Sequence, residues 1–464
     1  MTQLTFHGAA ETVTGSKYLL DSGDGRVLID CGLFQGLKEL RLRNWARLPF
    51  EPSTVDAVVL THAHIDHIGY LPKFVRSGFH HRVYSTPATE ELAEILLLDS
   101  AKTQESDADY ANEKRFTKHQ PALPLYDERD VAQTLKLFRS VKLGTWFNPA
   151  GSIWCRYQDA GHLLGSTSIE VEVRQGPKPL RIVFSGDVGR YASPLYYDPQ
   201  IPPPCDYLIC ESTYGNRDHP AIAVLDQLCE VVLEAIERGG VLVTASFAVG
   251  RAQQLIYLMR VLIEQKRIPP IPIYLDSPMA VSATKIFLKY ASQHDLSEGR
   301  FDPDHSVLDA PNVHLCKTVD ESKRVNDVTG PAMIIASSGM MTGGRILHHL
   351  KRRLPDARNT VVIGGYQAEG SRGRDLQEGR RTIRIHGQDI PVRAQLAEIS
   401  AISGHAGRSE LLRWLKPLDP PRRTFITHGE LEGSNALAKT LREERGWDVV
   451  IPKQGEAFTL ELPA

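Results

Sequence analysis

Thr61-His62-Ala63-His64-Ile65-Asp66-His67 places four candidate metal ligands within six residues, directly after the apolar run Val55-Asp56-Ala57-Val58-Val59-Leu60. That run is short, β-branched and nearly continuous in apolar character, so it reads as a buried strand. The ligands then fall on the turn where the strand ends, and side chains there can converge on one ion. Imidazole and carboxylate together suit zinc and other first-row metals.

The pattern recurs. Ala160-Gly161-His162-Leu163-Leu164-Gly165 sets a histidine on a glycine-flanked turn after a strand. Phe184-Ser185-Gly186-Asp187-Val188-Gly189 sets an aspartate at another strand end, and Ile426-Thr427-His428-Gly429-Glu430 a histidine at a third. Any one of these alone is an ordinary hydrogen-bonded turn. All of them in order point to a composite metal centre.

The rest of the sequence bounds what such a centre belongs to. A chain of 464 residues is too long for one core, which implies two domains or three. Hydrophobic content of 42% and charged content of 24% are those of a globular protein. No apolar run approaches the roughly 18 residues of a membrane span. The N-terminus lacks the basic start and apolar stretch of a signal peptide and reads as a first strand. Cys31, Cys155, Cys205, Cys210, Cys229 and Cys316 are scattered, with no CxxC pair. Free buried thiols in a reducing cytoplasm are the simplest reading. The net charge of −2 exerts no global pull on nucleic acid, yet Gly339–Arg393 holds eleven Lys/Arg against five Asp/Glu. Such a segment suits phosphate, and equally a solvated helix face.

Strands are expected at Leu4–His7, Lys17–Asp21, Val27–Asp30, Val55–Leu60, Ile153–Gln158, Ser168–Val173, Arg181–Ser185 and Tyr207–Cys210. Helical spacing covers Thr89–Ser106 and Glu128–Phe138, and the polar stretch Ser106–Pro124 reads as a loop or exposed helical hairpin. After Glu211 helices alternate with short apolar strands from Ala223 to Gly364, which implies a parallel, doubly wound sheet. Gln395–Ser403, Thr424–Thr427 and Val449–Ile451 read as returning strands, with helices at Ser409–Lys416 and Leu431–Arg445. One domain interrupted by another is the expected organisation.

This order of motifs resembles the metallo-β-lactamase fold, an αββα sandwich with its site at one sheet edge. By that resemblance His62, His64 and His162 hold one metal. Asp66, His67 and His428 hold a second, and Asp187 bridges them. Asp30 matches the family's early aspartate and orients ligand imidazoles. Two zinc ions are implied; manganese or iron fits the same donors. Asp66 then counts among the catalytic residues as well as the ligands. The sequel resembles the β-CASP nucleases. Glu211, in Leu208-Ile209-Cys210-Glu211-Ser212-Thr213-Tyr214-Gly215, matches motif A. His405, in Ser400-Ala401-Ile402-Ser403-Gly404-His405-Ala406, matches motif B, and His428 matches motif C. A histidine at motif C marks RNA-directed members. Phe247–Gln253, Ser337–Arg345 and Gly364–Arg374 resemble the bacterial and archaeal branch related to the RNA 3′-end processing endonuclease. The chain departs from the family two residues after the motif B histidine, where Gly407 stands for the usual aspartate.

The resemblance implies an α/β chain: residues 1–208 and 391–464 form the metallo-β-lactamase domain, and 209–390 an inserted doubly wound β-CASP domain. It implies a cytoplasmic two-zinc ribonuclease hydrolysing phosphodiesters of single-stranded RNA, endonucleolytically or from the 5′ end. No membrane is involved, and a homodimer is compatible with it. His405 becomes the acid that protonates the leaving O3′, and Glu211 its carboxylate partner. Arg251, Ser337, Ser338, Gly339, Met340 and Arg374 are candidate RNA phosphate contacts, the serine–glycine run because a helix starting near Thr342 would offer backbone amides. A thioester or lactone hydrolase would use the same ligands but has no need of the insertion or motif B. A non-catalytic RNA-binding protein would be expected to lack ligands, and here every position is filled.

Overall fold

The computed structural model describes residues 1–114, 120–220, 222–247, 249–294, 310–399 and 402–463. It divides into two compact units: Met1–Asp218 with His405–Ala464, and His219–Gly404.

The first unit is built on two seven-stranded sheets. One runs, edge to edge, Ala457–Leu460, Thr2–Phe6, Tyr18–Asp21, Arg26–Ile29, Ala57–Val59, Arg82–Ser85, Phe138–Ser140. The other runs Val449–Val450, Arg423–Thr427, Tyr207–Glu211, Leu180–Phe184, Thr167–Val173, Ile153–Asp159, Trp146–Ala150. Side-chain alternation explains the layering. Leu180, Ile182 and Phe184 point into a shared core with Leu4, Phe6, Val27, Ile29 and Val59 of the opposite sheet. Val183 points the other way, against Leu411, Trp414 and Leu441 of the helices Arg408–Leu415 and Leu431–Arg445. Tyr207 and Ile209 repeat the inward pattern, and Leu208 and Cys210 the outward one. The outcome is an αββα sandwich.

Register then positions chemistry. Leu180–Phe184, Tyr207–Glu211 and Arg423–Thr427 run parallel, as do Arg26–Ile29 and Ala57–Val59. Ile153–Asp159 shares the direction of Leu180–Phe184, because each is antiparallel to Thr167–Val173 between them. The carboxyl ends of these strands therefore lie at one edge of their sheets, where Asp187, Glu211, His428, Asp30, His62 and His162 follow.

The second unit carries a six-stranded, wholly parallel sheet in the order Val313–Leu315, Ile273–Asp276, Ala332–Ala336, Val241–Ala245, Thr360–Ile363, Gln395–Glu398. An apolar cluster packs on each face, so the sheet is doubly wound. Two expectations need correction. Gln395–Ser403 does not return to the first unit; Gln395–Glu398 is the edge strand of this sheet, paired to Thr360–Ile363, and 400–401 lie outside the described residues. The expected cut after 208 divides a strand of the first unit, because Tyr207–Glu211 pairs on both sides within its sheet. Over 106–114 the loop alternative gives way to the helical one, because the helix Pro87–Lys114 runs through it; 115–119 lie outside the described residues. All six cysteines are free, and all but Cys205 are buried. No helix among the described residues is long and apolar enough to cross a membrane.

Asp276 ties the second unit together. Its fully buried carboxylate accepts from Arg345 Nη1 at 2.7 Å, Ser322 Oγ at 2.7 Å and His349 Nε2 at 2.7 Å. Removing one partner of such a set strands the others in low dielectric. Asp276→Ala should lose about 3 kcal/mol of this unit's stability, measured by urea unfolding, and Asp276→Asn less.

Candidate metal centre

His62 and His64 follow the strand Ala57–Val59, and Asp66 and His67 sit on the single helical turn Ile65–Ile68. That turn is clipped to the loop after Arg26–Ile29: Cys31 N–H donates to His67 O at 2.7 Å and Leu33 N–H to Ile65 O at 3.0 Å. The approach is so close that a Cβ on Gly32 would overlap the Asp66 carbonyl. Gly189 plays the same part across the site, passing against the Gly161 carbonyl beside His162.

The donor atoms fall into two groups. His62 Nε2 lies 2.9 Å from His64 Nδ1, which lies 3.2 Å from His162 Nε2. Asp187 Oδ2 faces this group, 3.3 Å from His62 Nε2 and 3.5 Å from His162 Nε2. In the second group His67 Nε2 lies 3.1 Å from His428 Nε2 and 4.0 Å from Asp66 Oδ2, and Asp66 Oδ2 lies 3.5 Å from His428 Nε2. Asp187 Oδ1 faces this one, 3.3 Å from His67 Nε2. Bonds of about 2.0–2.1 Å put two ligands of one tetrahedral ion roughly 3.3 Å apart, so these spacings fit a cation in each group. Asp187 Oδ1 is buried and, among the described residues, has no hydrogen-bond donor. An anionic oxygen left so in the interior calls for a cation.

Neighbouring hydroxyls and carboxylates fix which nitrogen of each ring faces inward. Asp30 Oδ2 accepts from His67 Nδ1 at 2.8 Å, and Asp30 Oδ1 accepts from the Thr61 backbone N–H at 2.8 Å. Thr61 Oγ1 lies 2.9 Å from Asp30 Oδ2 and 3.0 Å from His62 Nδ1. Thr213 Oγ1 lies 3.2 Å from His428 Nδ1. In His62 and His67 Nε2 is thereby left for the cluster; in His428 Nε2 faces His67 and Asp66, and Nδ1 also lies 3.5 Å from Asp187 Oδ1. Asp30 and His428 both adopt left-handed backbone, at φ 58° and 50°. Such conformations cost of order 1–3 kcal/mol outside glycine. Here they are held by Asp30 N–H to Val59 O at 3.0 Å and His428 N–H to Ala9 O at 2.8 Å.

Charge states follow from surroundings. Burial holds the imidazoles of His62, His64 and His162 below their ordinary pKa, so they are neutral ligands. Burial would lower His67 as well, but the Asp187 and Asp30 carboxylates hold it well above. Burial would raise Asp66 and Asp187; the neighbouring histidines hold both below the usual carboxylate range.

His405 stands beside the bridging carboxylate, its Nε2 3.8 Å from Asp187 Oδ2. Its Nδ1 lies 3.2 Å from Glu211 Oε1. Glu211 is itself fixed: Oε1 accepts from Val188 N–H at 2.7 Å and Oε2 from Thr213 N–H at 3.1 Å. Burial works against the His405 cation, while Glu211, then Asp187, hold its pKa above the ordinary imidazole value. The loop bearing His405 is clipped to the Asp187 loop by Ala406 N–H to Val188 O at 2.8 Å. What steadies it despite Gly407 is Glu410, whose carboxylate accepts from Gly407 N–H at 2.8 Å and Tyr191 N–H at 3.1 Å. Asp218 caps the same helix, accepting from Ser409 N–H at 2.7 Å.

The expected phosphate contacts lie in the second unit and differ from expectation. The helix after Ser337 begins at Ile346, not near Thr342. Ser338 Oγ takes the Thr342 amide at 3.1 Å and approaches that of Gly343 at 3.4 Å, so these amides are engaged internally. Ser337 Oγ pairs with Ser277 Oγ at 2.8 Å, Gly339 O accepts from Gln367 Nε2 at 3.1 Å, and Met340 O from Gly373 N–H at 3.4 Å. Arg374 Nε donates to Gln367 O at 2.9 Å, and Arg251 stacks over the Phe247 ring. Sequence reasoning alone misses Thr61, Thr213, Glu410 and Asp218. For two of them a signal exists: Thr61 directly precedes His62, and Thr213 follows Glu211 by two.

Three family models match the chain. Residues 12–216 match the model of the metallo-beta-lactamase superfamily, 252–376 that of the Beta-Casp domain, and 389–452 that of the Zn-dependent metallo-hydrolase RNA specificity domain. The chain is 38% identical to ribonuclease TTHA0252 of Thermus thermophilus, over 97% of this chain and 98% of that one. It is 30% identical to an RNase J-like protein of Methanocaldococcus jannaschii, over 98% and 99%. It is 31% identical to the transcription termination factor FttA of Methanosarcina mazei, over 95% and 68%. A crystal structure of a protein of unknown function from Enterococcus faecalis shares the fold at TM-score 0.54 and 14% identity, covering 99% of this chain and 100% of that one.

The two ligand groups should differ in acid sensitivity. A protonated His67 cannot ligate, and its pKa is raised, whereas those of His62, His64 and His162 are lowered. As pH falls below neutral, metal analysis after dialysis should show the His67 group emptying first. Asp30→Asn, which removes one charge that raises His67, should narrow the gap.

Proposed function

The chain belongs to the β-CASP ribonucleases of the metallo-β-lactamase superfamily, metal-dependent hydrolases of RNA, and from that premise we propose a two-zinc mechanism for cutting its phosphodiester bonds. His62, His64 and His162 would hold one ion and Asp66, His67 and His428 the other, with Asp187 shared. The observation that carries this reading is Asp187, whose two oxygens face the two donor groups separately. Bound there, the metal pair supplies hydroxide at neutral pH and offsets charge growing on the phosphoryl oxygens.

The chain's own residues do the rest. Asp30, Thr61 and Thr213 hold the ligand rings with Nε2 inward, so the site is organised before substrate arrives. His405 donates the proton from Nε2 to the departing O3′ of the ribose, leaving 3′-hydroxyl and 5′-phosphate ends. Glu211 keeps that imidazole charged and aimed, through Nδ1. The motif C position of His428 supports RNA over DNA. Six unpaired cysteines support a reducing compartment, the cytoplasm.

A time course on end-labelled single-stranded RNAs, with DNA alongside, tests the reading. RNA should be cut to 3′-hydroxyl products, and His405→Ala should slow cleavage at least ~100-fold with metal content unchanged. Full activity in that variant removes His405 from the chemistry. Mononucleotides from the 5′ end would show exonuclease action, internal fragments endonuclease action.

The pH profile tests the pair. His405 acts protonated, and its raised pKa keeps it so to higher pH. Activity should fall only above the ordinary imidazole value of about 6.5. A cation on Asp187 cancels that carboxylate's share of the shift but not that of Glu211. Glu211→Gln should therefore move the alkaline limb to lower pH.

A further inference from the structure

The metal centre and the His405–Glu211 pair leave one concave surface of the first unit without a task. It is a cavity of ≈ 320 Å³ lined by Trp45, Arg47, Phe50, Glu51, Tyr70 and Lys73 among others. That volume is at the lower end of small-molecule pockets, about 300–1,000 Å³. Its floor is close to the chemistry along the chain, since Tyr70 lies three residues past His67.

Trp45 is 55% exposed, an unusual state for the largest apolar side chain unless it meets something. Its backbone is nevertheless fixed. The neighbouring Asn44 is buried and bonds Phe34 in both directions, accepting from its N–H at 2.9 Å and donating to its carbonyl at 2.8 Å. Trp45 N–H donates to Leu42 O at 3.1 Å. With the backbone already held, binding has only the side-chain torsions left to order. The segment around it is basic: residues 38–51 carry Lys38, Arg41, Arg43 and Arg47 against Glu39 and Glu51. Arg47 pairs with Glu51, but both side chains are largely exposed, so exchanging that partner for a phosphate costs little. Lys73 contributes a further cation to the lining.

An exposed aromatic ring on a held backbone, beside several cations, is the chemistry that takes one nucleotide of a single strand, base on ring and phosphate on charge. We propose that this cavity binds a nucleotide of the RNA substrate outside the cleavage centre, with the base against Trp45 and the phosphates against Arg47 and Lys73. The proposal rests on the RNA-cleaving reading of the metal centre.

The test is binding of a fluorescent single-stranded RNA to the zinc-loaded full chain, by anisotropy over a range of salt. Trp45→Ala should weaken binding about tenfold, the size of one base–aromatic stack, with the salt slope unchanged. Trp45→Phe should restore most of it. Arg47→Ala and Lys73→Ala should each weaken binding and flatten the slope by about 0.7, the share of a single phosphate neutralised on a single strand. RNA carrying 4-thiouridine should crosslink to the peptide that contains Trp45. Unchanged affinity and slope in all three alanine variants, in a protein that does cut RNA, overturns the pocket. RNA bound through these residues but never cut would instead overturn the ribonuclease reading and support the pocket.

Discussion

Asp187 is a carboxylate in the interior, 2% exposed, with one oxygen turned to each of two histidine groups and no hydrogen-bond donor on Oδ1 among the described residues. A charge so placed is strongly unfavourable unless cations meet it. The surrounding architecture follows from that requirement. Its strand must end where five others end, so within each sheet the strands that lead into the site run in one direction. The turns must be tight enough to aim side chains inward, which is why Gly32 and Gly189 lie against neighbouring carbonyls where no side chain fits. Asp30 and His428 accept left-handed backbone for the same end.

Around Asp187 the remaining carboxylates have separate tasks, and hydrogen bonding tells them apart. Asp30 accepts from Thr61 and His67 and has its acceptor sites occupied by the protein, so it orients rather than ligates. Glu211 accepts two backbone amides as well as facing His405, which makes it a rigid anchor for that ring. Glu410 accepts from Gly407 and Tyr191 and holds the His405 loop. Asp66 instead turns its carboxylate to the rings of His67 and His428, the other members of its donor group. A ligand and its supports are thus separable by where the lone pairs go.

The donor side chains that the structure brings together were legible in the sequence because each follows an apolar strand and sits among small residues. The two-unit organisation was legible in the change of rhythm, from strand-rich segments to strand–helix alternation after Glu211. Gln395–Glu398 misled because an edge strand shows solvent on its free side and carries little apolar signal; three of its four residues are exposed. Its partner is fixed by register, not by composition. The helix start near Thr342 failed because Ser338 bonds the amides of the intervening turn, a contact between residues four apart that composition does not specify. The bond of Glu410 to Tyr191 and that of Asp218 to Ser409 were illegible because they join residues 219 and 191 positions apart.

All metal ligands, Asp30, Glu211 and His405 belong to the first unit, and His405 is the first residue of its returning segment. The second unit contributes the basic segment Gly339–Arg393 but none of these side chains. The candidate chemical groups and the basic segment are therefore divided along the chain. That division has an energetic sense. A phosphodiester is the same at every step of an RNA, so contacts at the cut bond cannot by themselves choose where a long strand is held. Binding energy from remote nucleotides can be spent on orienting the reacting one. Stacking and phosphate contacts serve this well, since every nucleotide offers a π-face and a charge. An exposed aromatic ring beside cations on the unit that carries the metal donors would place a neighbouring nucleotide within the same unit as Asp66 and His67. The position of the cut would then be set within one covalent frame, the first unit.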